Sequence, residues 1–124
     1  MKEPTENEIQ AAFFRWVDLT ANRHPSLRLV YAVPNGSHKS PAARGLFQRT
    51  GLRPGVPDIH VPIPMGRHCG LWLEMKAKRG QLSEAQKGWI ERLELVGHRV
   101  EVVRSWTDAA NAVIDYLKIP IEKL

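Results

Sequence analysis

The sequence holds one cysteine, Cys69, so no disulfide can form within the chain, and a reducing, cytoplasmic setting is expected. Its five histidines are scattered and Cys69 has no cysteine partner, which argues against a structural zinc site. No apolar run approaches the roughly 20 residues that span a bilayer, so no membrane partner is expected. The opening segment, Met1-Lys2-Glu3-Pro4, is polar and acidic and does not read as a secretory signal. Internal repeats, low-complexity tracts and linkers are also missing. One domain is therefore expected across all 124 residues, a length that buries roughly two-thirds of the unfolded surface.

What is present is an ordinary soluble composition with a basic balance. Eighteen Lys and Arg face thirteen Asp and Glu, a formal charge of +5. That sign favours a polyanionic partner, nucleic acid being the commonest, although charge alone does not separate such a protein from a merely basic one.

The spacing of Ile9, Ala12, Phe13, Trp16 and Val17 predicts a helix from about Glu6 to Asn22, stopped by His24-Pro25. Thr5 and Glu8 fit a capping box at its start. Leu27 to Val33 reads as a strand that ends at Pro34-Asn35-Gly36. Ser40-Pro41 starts a short helix to about Thr50, closed by Gly51. Asp58 to Ile63 and Leu71 to Ala77 read as two further strands. A helix from a Ser83 cap to about Val96 follows, with Trp89, Ile90, Leu93 and Val96 on one side. Arg99 to Arg104 is a fourth strand, and Thr107 caps a last helix bearing Ala110, Val113, Ile114 and Leu117. The order α-β-α-β-β-α-β-α predicts an α/β fold: a mixed central sheet flanked by helices. Strands two and three form a hairpin, and strands three and four run parallel through a helical crossover.

Chemistry concentrates on three residues. Glu74 and Lys76 lie two apart on one strand, so their side chains share a face about 7 Å apart. A hairpin would bring Asp58 beside Glu74. Two carboxylates that close need a proton or a cation between them. Hard divalent ions such as Mg²⁺ take oxygen ligands and retain waters. Phosphodiester hydrolysis uses such an ion with a nearby cation. An exposed Glu–Lys pair on a strand is the plainer alternative, worth about 0–1 kcal/mol. The strand, however, includes Trp72 and Leu73 and reads as central, and charge on a buried strand needs a reason.

The segments Glu8, Pro34-Asn35-Gly36, Gly55-Val56-Pro57-Asp58, Glu74-Met75-Lys76 and Leu82-Ser83-Glu84-Ala85-Gln86 together resemble the virus-type replication-repair nuclease (VRR-NUC) family. This family is a branch of the PD-(D/E)xK nucleases, which have a restriction-endonuclease-like core. The resemblance runs from about Glu6 to Val103. It implies a Mg²⁺- or Mn²⁺-dependent nuclease in which Asp58, Glu74 and the Met75 carbonyl hold the metal. Lys76 would position or activate the attacking water. Glu8 would reach the metal site from the first helix, and Gln86 would support it from the third. Both also fit capping boxes, with Thr5 and Ser83 respectively. Their spacing to Ala12, Trp89 and Ile90 leans each toward the core.

His38, Lys39, Arg44, Arg49 and Arg53 upstream, and Lys78, Arg79 and Lys87 downstream, are candidates for a phosphate-tracking rim, or are ordinary surface charge. Asn35 either reaches the site or serves its turn. Trp16 and Trp89 are assigned to the core. The stand-alone form resembles family members acting on four-way (Holliday) junctions, and a homodimer would supply the two cuts a junction needs. The apolar tail Ile119, Pro120, Ile121 and Leu124 is either the dimer surface or part of the core. The alternatives are flap or nicked-duplex cleavage, and a non-catalytic DNA-binding module.

Overall fold

The computed structural model describes residues 2–34 and 40–124. Helix α1, Glu6–Thr20, begins at the Thr5 cap and presents Ile9, Phe13 and Val17 as a buried stripe. The stretch expected to be the first strand is mostly something else. Pro25–Leu29 forms a 3-10 helix, because Pro25 presets its first turn and Leu27 N–H returns to the His24 carbonyl. Leu27 is buried there while Leu29 is 54% exposed. Only Tyr31–Ala32 remains as strand β1.

Helix α2, Pro41–Arg49, starts at Ser40, whose hydroxyl accepts from Ala43 N–H. Strands β2, Ile59–Val61, and β3, Leu71–Met75, are antiparallel. Helix α3, Glu84–Leu95, leads into β4, Arg99–Val103, which runs parallel to β3. Helix α4, Trp106–Leu117, is capped by Ser105 rather than Thr107; the Ser105 hydroxyl accepts from Asp108 N–H. The sheet order is β1-β2-β3-β4, a mixed sheet with α-helices packed on it, as expected.

The two faces of the sheet differ. Leu71, Leu73 and Met75 join Phe13, Val17, Ala109, Val113 and Tyr116 in the core beneath α1 and α4. Ile119 and Ile121 of the tail pack into or against that core, and Leu124 is tied to Asn111, so the tail is core packing with Leu124 left exposed. The opposite face carries Glu74 and meets α3 through Gln86. Helix α3 is only lightly buried. Leu93 is its one buried residue, Trp89 is half-buried with Arg92 over its ring, and Val96 is 67% exposed. The core assignment holds for Trp16 and fails for Trp89, because α3 covers the margin of the sheet rather than its centre. Among the described residues no helix is long and apolar enough to cross a membrane.

Candidate active site

The site begins with a register. Ile59 pairs with Leu73 across β2 and β3, so one step further Asp58 lies opposite Glu74. Asp58 sits just before β2 rather than within it. Its Oδ2 accepts the Met75 N–H at 2.7 Å, which fixes the carboxylate against β3. In a strand the N–H and C=O of one residue leave by the same edge. The Met75 carbonyl therefore faces the Asp58 side, while Lys76 N–H turns to the Val103 carbonyl of β4.

Among the described residues the buried charged side chains are Glu74, 1% exposed, and Lys76, 7% exposed. Gln86 donates through Nε2 to Glu74 Oε2 at 3.2 Å. Its Oε1 meanwhile accepts Ser83 N–H, so the amide completes the capping box and braces the site at once. Glu74 Oε1 is buried without a hydrogen-bond partner. Burial pushes the Glu74 carboxyl up to about 9, helped by the neighbouring Asp58 carboxyl and by Glu6, and opposed by Lys76. A buried acid beside another acid, with one oxygen unsatisfied, is a place prepared for positive charge.

The loop before Asp58 is held just as closely. Gly55 has φ +92°, and a Cβ there would lie 2.6 Å from the Ala85 carbonyl carbon. Only glycine lets this loop touch the first turn of α3, which brings Asp58 and Gln86 to the same place.

Residues 5–106 match the profile of the VRR-NUC domain. The chain belongs to the VRR-NUC domain family. A solved structure titled "VRR_NUC domain protein" is similar to it, with TM-score 0.77 and 25% identity over 94% of this chain and 91% of that one. Among curated proteins nothing matches. VRR-NUC domains are nuclease-type domains, and this chain has their fold.

Within this VRR-NUC domain Asp58, Glu74, Met75, Lys76 and Gln86 come together, while Glu8 is engaged in the capping box of α1. Glu8 is exposed, bonded to Thr5 N–H at 2.9 Å, and that bond holds its carboxyl below the usual range. Among the described residues no three His, Cys, Asp or Glu side chains gather as a metal site. The oxygen donors are thus two carboxylates and a main-chain carbonyl, a set that suits a hard cation that keeps waters.

Sequence reasoning missed Arg104. Its Nη1 donates to the carbonyls of Ala77 at 2.9 Å, Lys78 at 3.3 Å and Gly80 at 2.9 Å, bracing the turn that follows β3. No local pattern announces a side chain whose partners lie more than twenty residues back. Of the expected rim, Arg44, Arg49, Arg53, Lys78, Arg79 and Lys87 are exposed. Arg53 bonds the Gln48 carbonyl, and Lys87 pairs with Glu84 at 3.4 Å. Asn35, His38 and Lys39 lie outside the described residues.

Proposed function

We propose that this nuclease-type domain is a Mg²⁺- or Mn²⁺-dependent endodeoxyribonuclease that cuts branched DNA, four-way junctions foremost, as a homodimer. The observation that carries the reading is Glu74, buried beside Asp58 with Oε1 unpartnered and with Lys76 buried on the same face.

Asp58, Glu74 and the Met75 carbonyl would hold the ion. When bound, a Mg²⁺ or Mn²⁺ ion polarises a phosphate and lowers the pKa of a coordinated water. The Met75 N–H and the Gln86 amide keep the two carboxylates in place, so no reorganisation is needed when substrate arrives. Lys76, kept from bulk water, offers its ammonium to the attacking water or to a phosphoryl oxygen where the dielectric is low. The turn carrying Lys78 and Arg79 lies directly beyond Lys76; a Cβ at Gly80 would come 3.3 Å from Lys76 Cδ. With Arg44, Arg49, Arg53 and Lys87 it would track phosphates rather than bases, binding in a salt-dependent way. Shape recognition of this kind suits a branched duplex.

The test is to incubate purified protein with labelled four-way junctions, flaps and linear duplexes in Mg²⁺, Mn²⁺ or excess chelator. Cleavage only with metal, strongest on the junction, is expected. Full cleavage in chelator, or equal cutting of all three, would contradict the proposal.

A further inference from the structure

On the sheet face that carries Asp58 and Glu74, the next row of side chains lies about 7 Å along the strands and is largely aromatic. Its aromatic members are Tyr31 on β1, His60 on β2 and Trp72 on β3, aligned by the pairs Tyr31–His60 and His60–Trp72, and Val100 on β4 completes it. His60 and Trp72 stack with centroids 3.9 Å apart and planes 12° from parallel. Tyr31 stands edge-on to His60 at 5.4 Å and shares a 2.7 Å hydrogen bond between its hydroxyl and His60 Nδ1. At the other end Trp72 Nε1 donates to His98 Nδ1 at 3.2 Å. The row is therefore fixed at both ends, and Tyr31, 47% exposed, is its open member.

We propose that Tyr31, held by His60 and Trp72, is a stacking platform for an unpaired base next to the scissile phosphate. This rests on the nuclease reading above and deepens it. The row contains no Lys, Arg or carboxylate, unlike the basic residues around the site, so its chemistry suits a base rather than a phosphate. Aromatic rings take any base by stacking, without regard to sequence. A base inside a continuous duplex has both faces covered and is costly to extract, whereas a nucleotide at a branch point is exposed at little cost. A platform one row from the carboxylates would thus favour cleavage beside unpaired nucleotides.

The experiment uses wild type, Tyr31→Ala and Tyr31→Phe in excess chelator, so that DNA stays intact. The probes are four-way junctions carrying 2-aminopurine at single positions around the branch, with a fully paired linear duplex as reference. Wild type and Tyr31→Phe should quench one position by stacking. Tyr31→Ala should lose that quenching and bind the junction about tenfold more weakly, with duplex affinity unchanged. Quenching and affinities equal to wild type in Tyr31→Ala would overturn the platform. So would equal weakening on junction and duplex. A wild type that binds neither DNA would overturn the nuclease reading together with this one, whereas metal-dependent cleavage with an unaffected Tyr31→Ala would overturn the platform alone.

Discussion

Glu74 is the residue on which the energetics of the site turn. Unfolded, its carboxyl ionises near 4.5; folded and without a cation, it keeps its proton to about 9. Between those values the unfolded chain binds fewer protons than the folded one, so stability falls as pH rises through that window. Glu74→Gln removes the effect. In chelator, its unfolding temperature should gain on wild type between pH 5 and pH 8, measured by differential scanning calorimetry. A difference that does not change with pH would show that Glu74 is not held protonated. Divalent ions should in turn raise the wild-type midpoint more at pH 8, because a carboxylate must lose its proton to bind them. Glu8 on α1 is open to the same kind of test. Glu8→Gln can keep the capping box and, because the Glu8 carboxyl is already taken up by Thr5 N–H, should cut DNA at close to the wild-type rate. A rate lowered many-fold in single-turnover assays, at unchanged stability, would make Glu8 part of the site.

At the scale of elements, the loop from Gly55 to Asp58 and the first turn of α3 act as one unit. Gly55→Ala meets both a positive φ and the Ala85 backbone, so it should cost about 1–3 kcal/mol in urea unfolding and depress cleavage besides. An unchanged midpoint would mean that the loop is free to move away from α3. The elements legible in the sequence were those with local signals. The α1 and α3 caps are spelled out by Thr5-x-x-Glu8 and Ser83-x-x-Gln86, and period-two geometry alone put Glu74 and Lys76 on one face. The first strand was legible but read too long, because Pro25 diverted the start of the apolar stretch into a 3-10 helix and pairing with distant β2 left only Tyr31–Ala32 as strand. Arg104 and the Tyr31–His60–Trp72 row were not legible, because each is defined by partners far away in sequence.

For the whole molecule, one set of Asp58, Glu74 and Lys76 makes one cutting centre, and resolving a junction takes two. A two-fold dimer presents two centres at fixed separation to a substrate of similar symmetry. Sedimentation at micromolar concentration should therefore give a dimer, and junction cuts should fall at paired positions; a monomer cutting singly would contradict this. The tail is mostly spent on the core, so the dimer surface would have to lie elsewhere. The most direct test of the site itself is single-turnover cleavage of a labelled four-way junction in Mg²⁺ by wild type and Lys76→Ala, with DNA affinity measured alongside. The account predicts a rate lowered on the order of a hundredfold or more at similar affinity, because Lys76 acts on charge that develops during the reaction. Cleavage by Lys76→Ala at the wild-type rate would contradict it.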